Sequence, residues 1–172
     1  MAVMMRDNIV HNQTLSNLID YHGYMTTMSY SALDLDMQLC FPLYATTRAV
    51  TRRYGELLAE VGLTYPQYLV MLALWSRSPQ TVGELGDRLR LDSGTLTPLL
   101  KRLETAGRVI RRRDTADERR VIVEPGDAGW QLRELVAHVP EAMGQSLALT
   151  KHDSEQLRRI LATMLSHLHR FT

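Results

Sequence analysis

Residues 81–125 read "TVGELGDRLRLDSGTLTPLLKRLETAGRVIRRRDTADERRVIVEP", and the order of signals in this stretch decides the fold. Thr81 stands three residues before Glu84. At that spacing a capping hydroxyl and a carboxylate each satisfy a free N–H of a first helical turn. Leu85 and Leu89 then form the inner face of a short helix. Asp92 or Ser93 caps a second helix, with Leu96, Leu99, Leu100 and Leu103 as its buried stripe and Gly107 as its end. Pro98 falls inside that helix, deletes one backbone hydrogen bond and is expected to bend its first turn. Two short helices joined by a tight turn, the second amphipathic, make a helix-turn-helix. The period then changes. Val109 and Ile110 lead into the polar "DTADE" (114–118), and Val121, Ile122 and Val123 lead out. This predicts a β-hairpin with a charged tip, and helix-turn-helix followed by hairpin is the order of a winged helix.

Upstream, a helical pattern starts at Leu33 and runs through Leu39, Leu43, Val50, Tyr54, Leu57, Leu58 and Val61 to a stop at Gly62. Pro42 inside it should kink the helix or mark its true start. Thr64 caps the next helix with Pro66 in its first turn. Its body, "QYLVMLALWS" (67–76), is apolar on nearly all sides and therefore central. Downstream, a helix over about 127–148 carries Leu132, Leu135, Val136, Val139, Met143 and Leu147. Another over about 153–171, capped by Asp153 with Gln156 at the capping-box position, carries Leu157, Ile160, Leu161, Met164, Leu165, Leu168 and Phe171. So long an apolar seam, distant from a small winged helix, calls for a partner. The expected fold is mainly α with a small β-hairpin wing. Residues 63–126 make a winged helix-turn-helix DNA-binding domain; 33–62 and 127–172 make a helical dimerisation region, so the chain is expected to be a homodimer. Residues 1–32 are a polar extension without an assigned role, and Met25 and Met28 offer alternative starts.

The formal net charge is only +1 over 172 residues, so any affinity for nucleic acid must come from local charge. The hairpin supplies it, with Arg108, Arg111, Arg112, Arg113, Arg119 and Arg120 opposed by Asp114, Asp117 and Glu118. No apolar run is long enough to span a membrane, and the N-terminus lacks a signal-peptide pattern. The single cysteine, Cys40, excludes an internal disulfide and a cysteine-based zinc site, and fits a reducing cytoplasm. His138, His152, His167 and His169 lack ligand spacing, so neither a metal nor a cofactor is expected.

A helix fits the major groove of B-DNA, usually N-terminal end first. At that end Ser93, Thr95 and Thr97 offer short hydroxyls, and Gly94 allows close backbone approach. Lys101 and Arg102 follow at positions suited to phosphates, as does Arg111 on the hairpin. Asp117, two residues before Arg119, is placed to brace an arginine that enters the minor groove.

"LCFPLYATTRAVTRRY" (39–54), "LTYPQYL" (63–69), "LDSGTLTPLLKRLE" (91–104) and the wing "RRRDTADERR" (111–120) resemble the multiple-antibiotic-resistance regulator (MarR) family of dimeric winged-helix transcription factors. The resemblance covers residues 33–172 and is closer to the organic hydroperoxide resistance repressor branch (OhrR). The D-x-x-D-x-R signature falls on Asp114, Asp117 and Arg119. By itself a cysteine between Leu39 and Phe41 reads as a small core filler. The resemblance makes Cys40 the peroxide-sensing thiol, and makes Tyr54 and Tyr65 phenols that hydrogen-bond its sulfur from the partner subunit, with Tyr44 a third aromatic nearby. With no second cysteine, the chain would be of the one-cysteine type, which ends oxidation with a low-molecular-weight thiol. The function so implied is a repressor that binds a double-stranded operator and releases it on reaction with an organic hydroperoxide, not an enzyme. Two alternatives stay open: a regulator of the same fold responding to a small aromatic ligand, and a thiol peroxidase.

Overall fold

The computed structural model describes residues 33–168, and the chain divides between Val50 and Thr51 into two units. The helical pattern that begins at Leu33 does not form one helix. A 3-10 turn spans Leu35–Met37, capped by the Asp34 carboxylate accepting from the Asp36 N–H. The helix proper, α1, spans Cys40–Leu57. Pro42 therefore sits in the first turn, where a missing N–H has no intrahelical acceptor to disappoint. The other end also comes early. Beyond Leu57 the chain turns through Gly62 at φ 59°, and the Leu63 N–H donates back to the Leu58 carbonyl at 3.3 Å.

Helix α2, Tyr65–Ser76, starts as expected. The Thr64 hydroxyl accepts from the Gln67 N–H at 3.4 Å, and the Gln67 side chain accepts from the Thr64 N–H at 3.0 Å. Tyr68, Val70, Met71, Ala73 and Leu74 are buried, which makes α2 the central helix. Strand β1, Gln80–Thr81, precedes α3, Val82–Leu89, and α4, Ser93–Thr105. Strands β2, Val109–Arg113, and β3, Val121–Pro125, form the hairpin, and the antiparallel sheet has the order β1-β3-β2. Arg111 lies opposite Val123, and Val123 lies opposite Gln80. Leu85, Leu96, Leu100, Leu103 and Val123 are wholly buried with Leu58, Met71 and Leu74. Each such leucine contributes roughly 1.5–3 kcal/mol of hydrophobic free energy, so three of them fix α4 firmly against the sheet and α2.

The helix expected over 127–148 is two helices, α5, Asp127–Leu135, and α6, Val139–Leu147. Pro140 is the cause. It has no N–H for the Val136 carbonyl and its ring crowds the preceding turn. The last helix, α7, spans Lys151–Leu168. Its cap is Thr150, not Asp153: the Thr150 hydroxyl accepts from the Asp153 N–H at 3.1 Å and donates to the Asp153 carboxylate. Leu157, Ile160, Leu165 and Leu168 are exposed on α7; Phe171, His169, Met25 and Met28 lie outside the described residues. Among the described residues no helix is long and apolar enough to cross a membrane.

Candidate nucleic-acid interface and cysteine site

The N-terminus of α4 is built by Asp92, whose carboxylate accepts from the Thr95 N–H at 2.9 Å and from the Thr95 hydroxyl at 2.8 Å. These bonds, led by the Thr95 hydroxyl, hold the Asp92 carboxyl below its usual range. Asp92 is thus the cap, and Ser93 the first helical residue. With Leu96, Leu100 and Leu103 turned inward, Ser93, Gly94, Thr95, Thr97, Pro98, Lys101 and Arg102 are all exposed. The sequence-predicted residues of this helix therefore share one open surface.

The hairpin corrects the simple count of its arginines. Arg108 donates to the carbonyls of Val61 and Gly62. Arg111 grips Glu104 on α4, its Nε at 2.8 Å and a terminal nitrogen at 2.6 Å. Arg112 pairs with Glu124 at 3.5 Å, and Arg113 donates to the Glu118 carbonyl at 3.5 Å. Arg111 is only 26% exposed, so it braces the wing against α4 and does not stand open to solvent. Among the described residues Arg119 and Arg120 make no ion pair and are exposed. Asp117 does brace Arg119, but through the backbone: its carboxylate accepts the Arg119 N–H at 3.0 Å. Asp114 does the same for Ala116 at 3.0 Å. An aspartate two residues before an N–H closes an Asx turn, and that local bond wins over a bridge to a solvated guanidinium. The two aspartates of the signature shape the tip and leave the Arg119 side chain free.

Cys40 is the first residue of α1 and is exposed, so within this chain it is not a core filler. Tyr44, exposed one turn on, accepts from Arg48 at 2.7 Å, and the Arg48 guanidinium also lies over its ring. Cys40 and Tyr44 belong to the first unit; Tyr54 and Tyr65 belong to the second. There the rings of Tyr54 and Tyr65 stack at 4.1 Å with 12° between planes. Tyr68, which the periodicity marked only as core, extends the array at 5.9 Å from Tyr54, and Trp75 follows edge-on at 6.4 Å. Burial raises the pKa of all three phenols, and the neighbouring phenols add to the effect at Tyr65 and Tyr68. They are therefore held as neutral O–H donors. Among the described residues no cluster of histidine, cysteine and carboxylate has the arrangement of a metal site.

Known proteins resemble this chain in sequence and fold. A family model described as transcriptional regulator SarA/Rot matches residues 52–133. The organic hydroperoxide resistance transcriptional regulator of Bacillus subtilis is 42% identical over 143 residues, 81% of this chain and 95% of that protein. Reduced AbfR bound to DNA superposes with a TM-score of 0.68 at 38% identity, over 81% of this chain and 98% of that one. AbfR, from Staphylococcus epidermidis, has also been solved overoxidised on DNA and in a disulfide form. A cysteine-to-serine mutant of MarR from E. coli superposes with a TM-score of 0.60 at 27% identity, over 75% of this chain and 97% of that one. At 42% identity over 81% of this chain and 95% of the Bacillus subtilis regulator, the chain belongs to the MarR family of transcriptional regulators, in its organic hydroperoxide resistance branch.

Proposed function

We propose that this chain is a dimeric, cytoplasmic repressor that binds a double-stranded operator and releases it when an organic hydroperoxide oxidises Cys40. Residues 63–126 bind DNA; 33–62 and 127–172 join the subunits. Helix α4 enters the major groove through Ser93, Gly94, Thr95 and Thr97, while Lys101 and Arg102 meet phosphates. Arg119 reaches the minor groove, whose negative potential attracts it. The exposed leucines and isoleucine of α7 supply the apolar surface that a second subunit covers.

The observation that carries the sensing role is the exposure of Cys40, the sole thiol of a chain that is 42% identical to a hydroperoxide resistance regulator. The thiolate is the reactive form. It attacks one oxygen of ROOH, the O–O bond breaks, the alkoxide leaves and takes a proton as ROH, and the sulfur keeps the other oxygen as a sulfenic acid. A low-molecular-weight thiol then displaces water and leaves a mixed disulfide on Cys40. Neutral phenols at Tyr54 and Tyr65, supplied across the dimer, would stabilise the thiolate by hydrogen bonding. An added group at a close-packed interface forces repacking, and the two α4 helices lose the spacing that matches the operator.

The test is operator binding with and without an organic hydroperoxide, read beside intact mass. Wild type should gain one thiol adduct per subunit and leave the DNA. Cys40→Ser should fold, bind and stay bound. Release of Cys40→Ser by hydroperoxide would move the switch elsewhere. One cavity favours a second reading in that event: Tyr68, Leu72, Trp75 and Arg133 line it, and its volume of about 530 Å³ admits a small aromatic acid.

A further inference from the structure

Helix α4 carries a proline where stability alone would exclude one. Pro98 lies in the interior of α4, and its ring nitrogen bears no hydrogen. The carbonyl oxygen of Gly94, four residues earlier, therefore lacks the donor that a helix supplies at that position. The neighbouring Thr95 does not supply one, since its hydroxyl and N–H both go to Asp92. Gly94 and Pro98 are exposed on the same side of the helix, opposite Leu96, Leu100 and Leu103. A Cβ on residue 94 would also come within 3.0 Å of the Asp92 carboxylate that caps the helix. The surface assigned to the major groove thus presents a main-chain acceptor without its helical partner.

An acceptor discriminates among the groups it meets in a groove. Phosphate oxygens are acceptors themselves and give it nothing. The major-groove donors are the exocyclic amines, N4 of cytosine and N6 of adenine. We propose that the Gly94 carbonyl reads sequence by accepting a hydrogen bond from such an amine, and that Pro98 keeps the carbonyl available for it. The proposal rests on the reading of α4 as the recognition helix. It makes Gly94 and Pro98 specificity-determining residues, with Pro98 a positioning residue that touches no base through a polar atom.

The experiment uses the full chain and a pool of duplexes with randomised cores, sequenced after selection by wild type, by Pro98→Ala and by Pro98→Ser. Both substitutions restore the N–H, and thermal melting verifies the fold of each. Wild type should enrich a motif. The variants should enrich one that has lost its preference at a single C or A of each half-site. In the wild-type consensus duplex, that base is then replaced by its analogue without the amine, 2-pyrimidinone for cytosine or purine for adenine. The replacement should weaken wild type roughly tenfold and leave Pro98→Ala unchanged. Equal sharpness of the motifs, or equal loss for both proteins on amine removal, overturns the proposal and leaves the recognition-helix reading standing. Failure of wild type to enrich any motif overturns both.

Discussion

The phenols of Tyr54 and Tyr65 are half-buried and stacked, and burial holds both pKa values above the ordinary tyrosine value. Because the folded value is the higher one, each contributes stability that is complete below about pH 10 and lost as the pH rises through the folded value. Thermal melts followed with phenolate absorbance should show a stable plateau at neutral pH and a fall only in strong alkali. Tyr54→Phe and Tyr65→Phe should remove that alkaline step in part. In the proposed sensing role each would also delete one bond to a charged sulfur, worth about 1.5–3 kcal/mol. Stopped-flow oxidation of Cys40 should therefore slow without ceasing, and an unchanged rate in both variants would sink the assignment of the phenols. Their stacking was not legible in the sequence, where Tyr54 and Tyr65 stand eleven positions apart and only the resemblance joined them. Tyr68 was hidden for a different reason: in a helix apolar on all sides, nothing singles out one ring. The Asp117–Arg119 pair was legible as a pair, but its chemistry was not. A spacing of two residues serves a carboxylate–backbone bond as well as an ion pair, and only coordinates separate them.

Among the elements, α4 and β2 are tied by the Glu104–Arg111 pair. Both side chains are partly exposed, so the pair adds only about 1 kcal/mol to stability. Its larger effect is on angle, since it sets the wing relative to the open face of α4. Glu104→Ala and Arg111→Ala should each weaken operator binding with little change in Tm. The exchanged protein, Glu104→Arg with Arg111→Glu, should recover most of the loss. Recovery distinguishes a brace from a DNA contact, because an arginine that touched phosphate would not be replaced by glutamate. Helix order was legible from capping residues: Thr64 caps α2, and Thr81 with Glu84 closes the reciprocal cap its spacing predicts, while the matching Gln67 bond at Thr64 came only with the coordinates. The boundaries that slipped have local causes. Pro42 sits in the first turn of α1, Pro140 divides α5 from α6, and Thr150 takes the cap expected of Asp153. Strand β1 went unseen because two residues carry no period.

For the whole molecule, the proposed dimer assigns the exposed apolar surface of α7 to the subunit interface. Removing residues 153–172 should give monomer or aggregate without specific operator affinity, as read by light scattering beside a binding titration. A soluble monomer that still binds the operator normally would refute that assignment. The paired arginines of the hairpin have a consequence for the ion atmosphere of DNA. A guanidinium already neutralised by protein releases few counterions when it approaches a phosphate, and each phosphate neutralised contributes about −0.9 to the slope of log K against log salt. If all six arginines of the hairpin joined Lys101 and Arg102, a dimer would approach a slope of about −14. Arg111 and Arg112 are paired with the Glu104 and Glu124 carboxylates, while Arg108 and Arg113 donate only to uncharged carbonyls and keep their charge, so the expected slope is about −11. A titration series across potassium glutamate concentrations measures it. In the proposed repressor the shallower slope would let osmotic swings disturb operator occupancy less than the arginine content suggests.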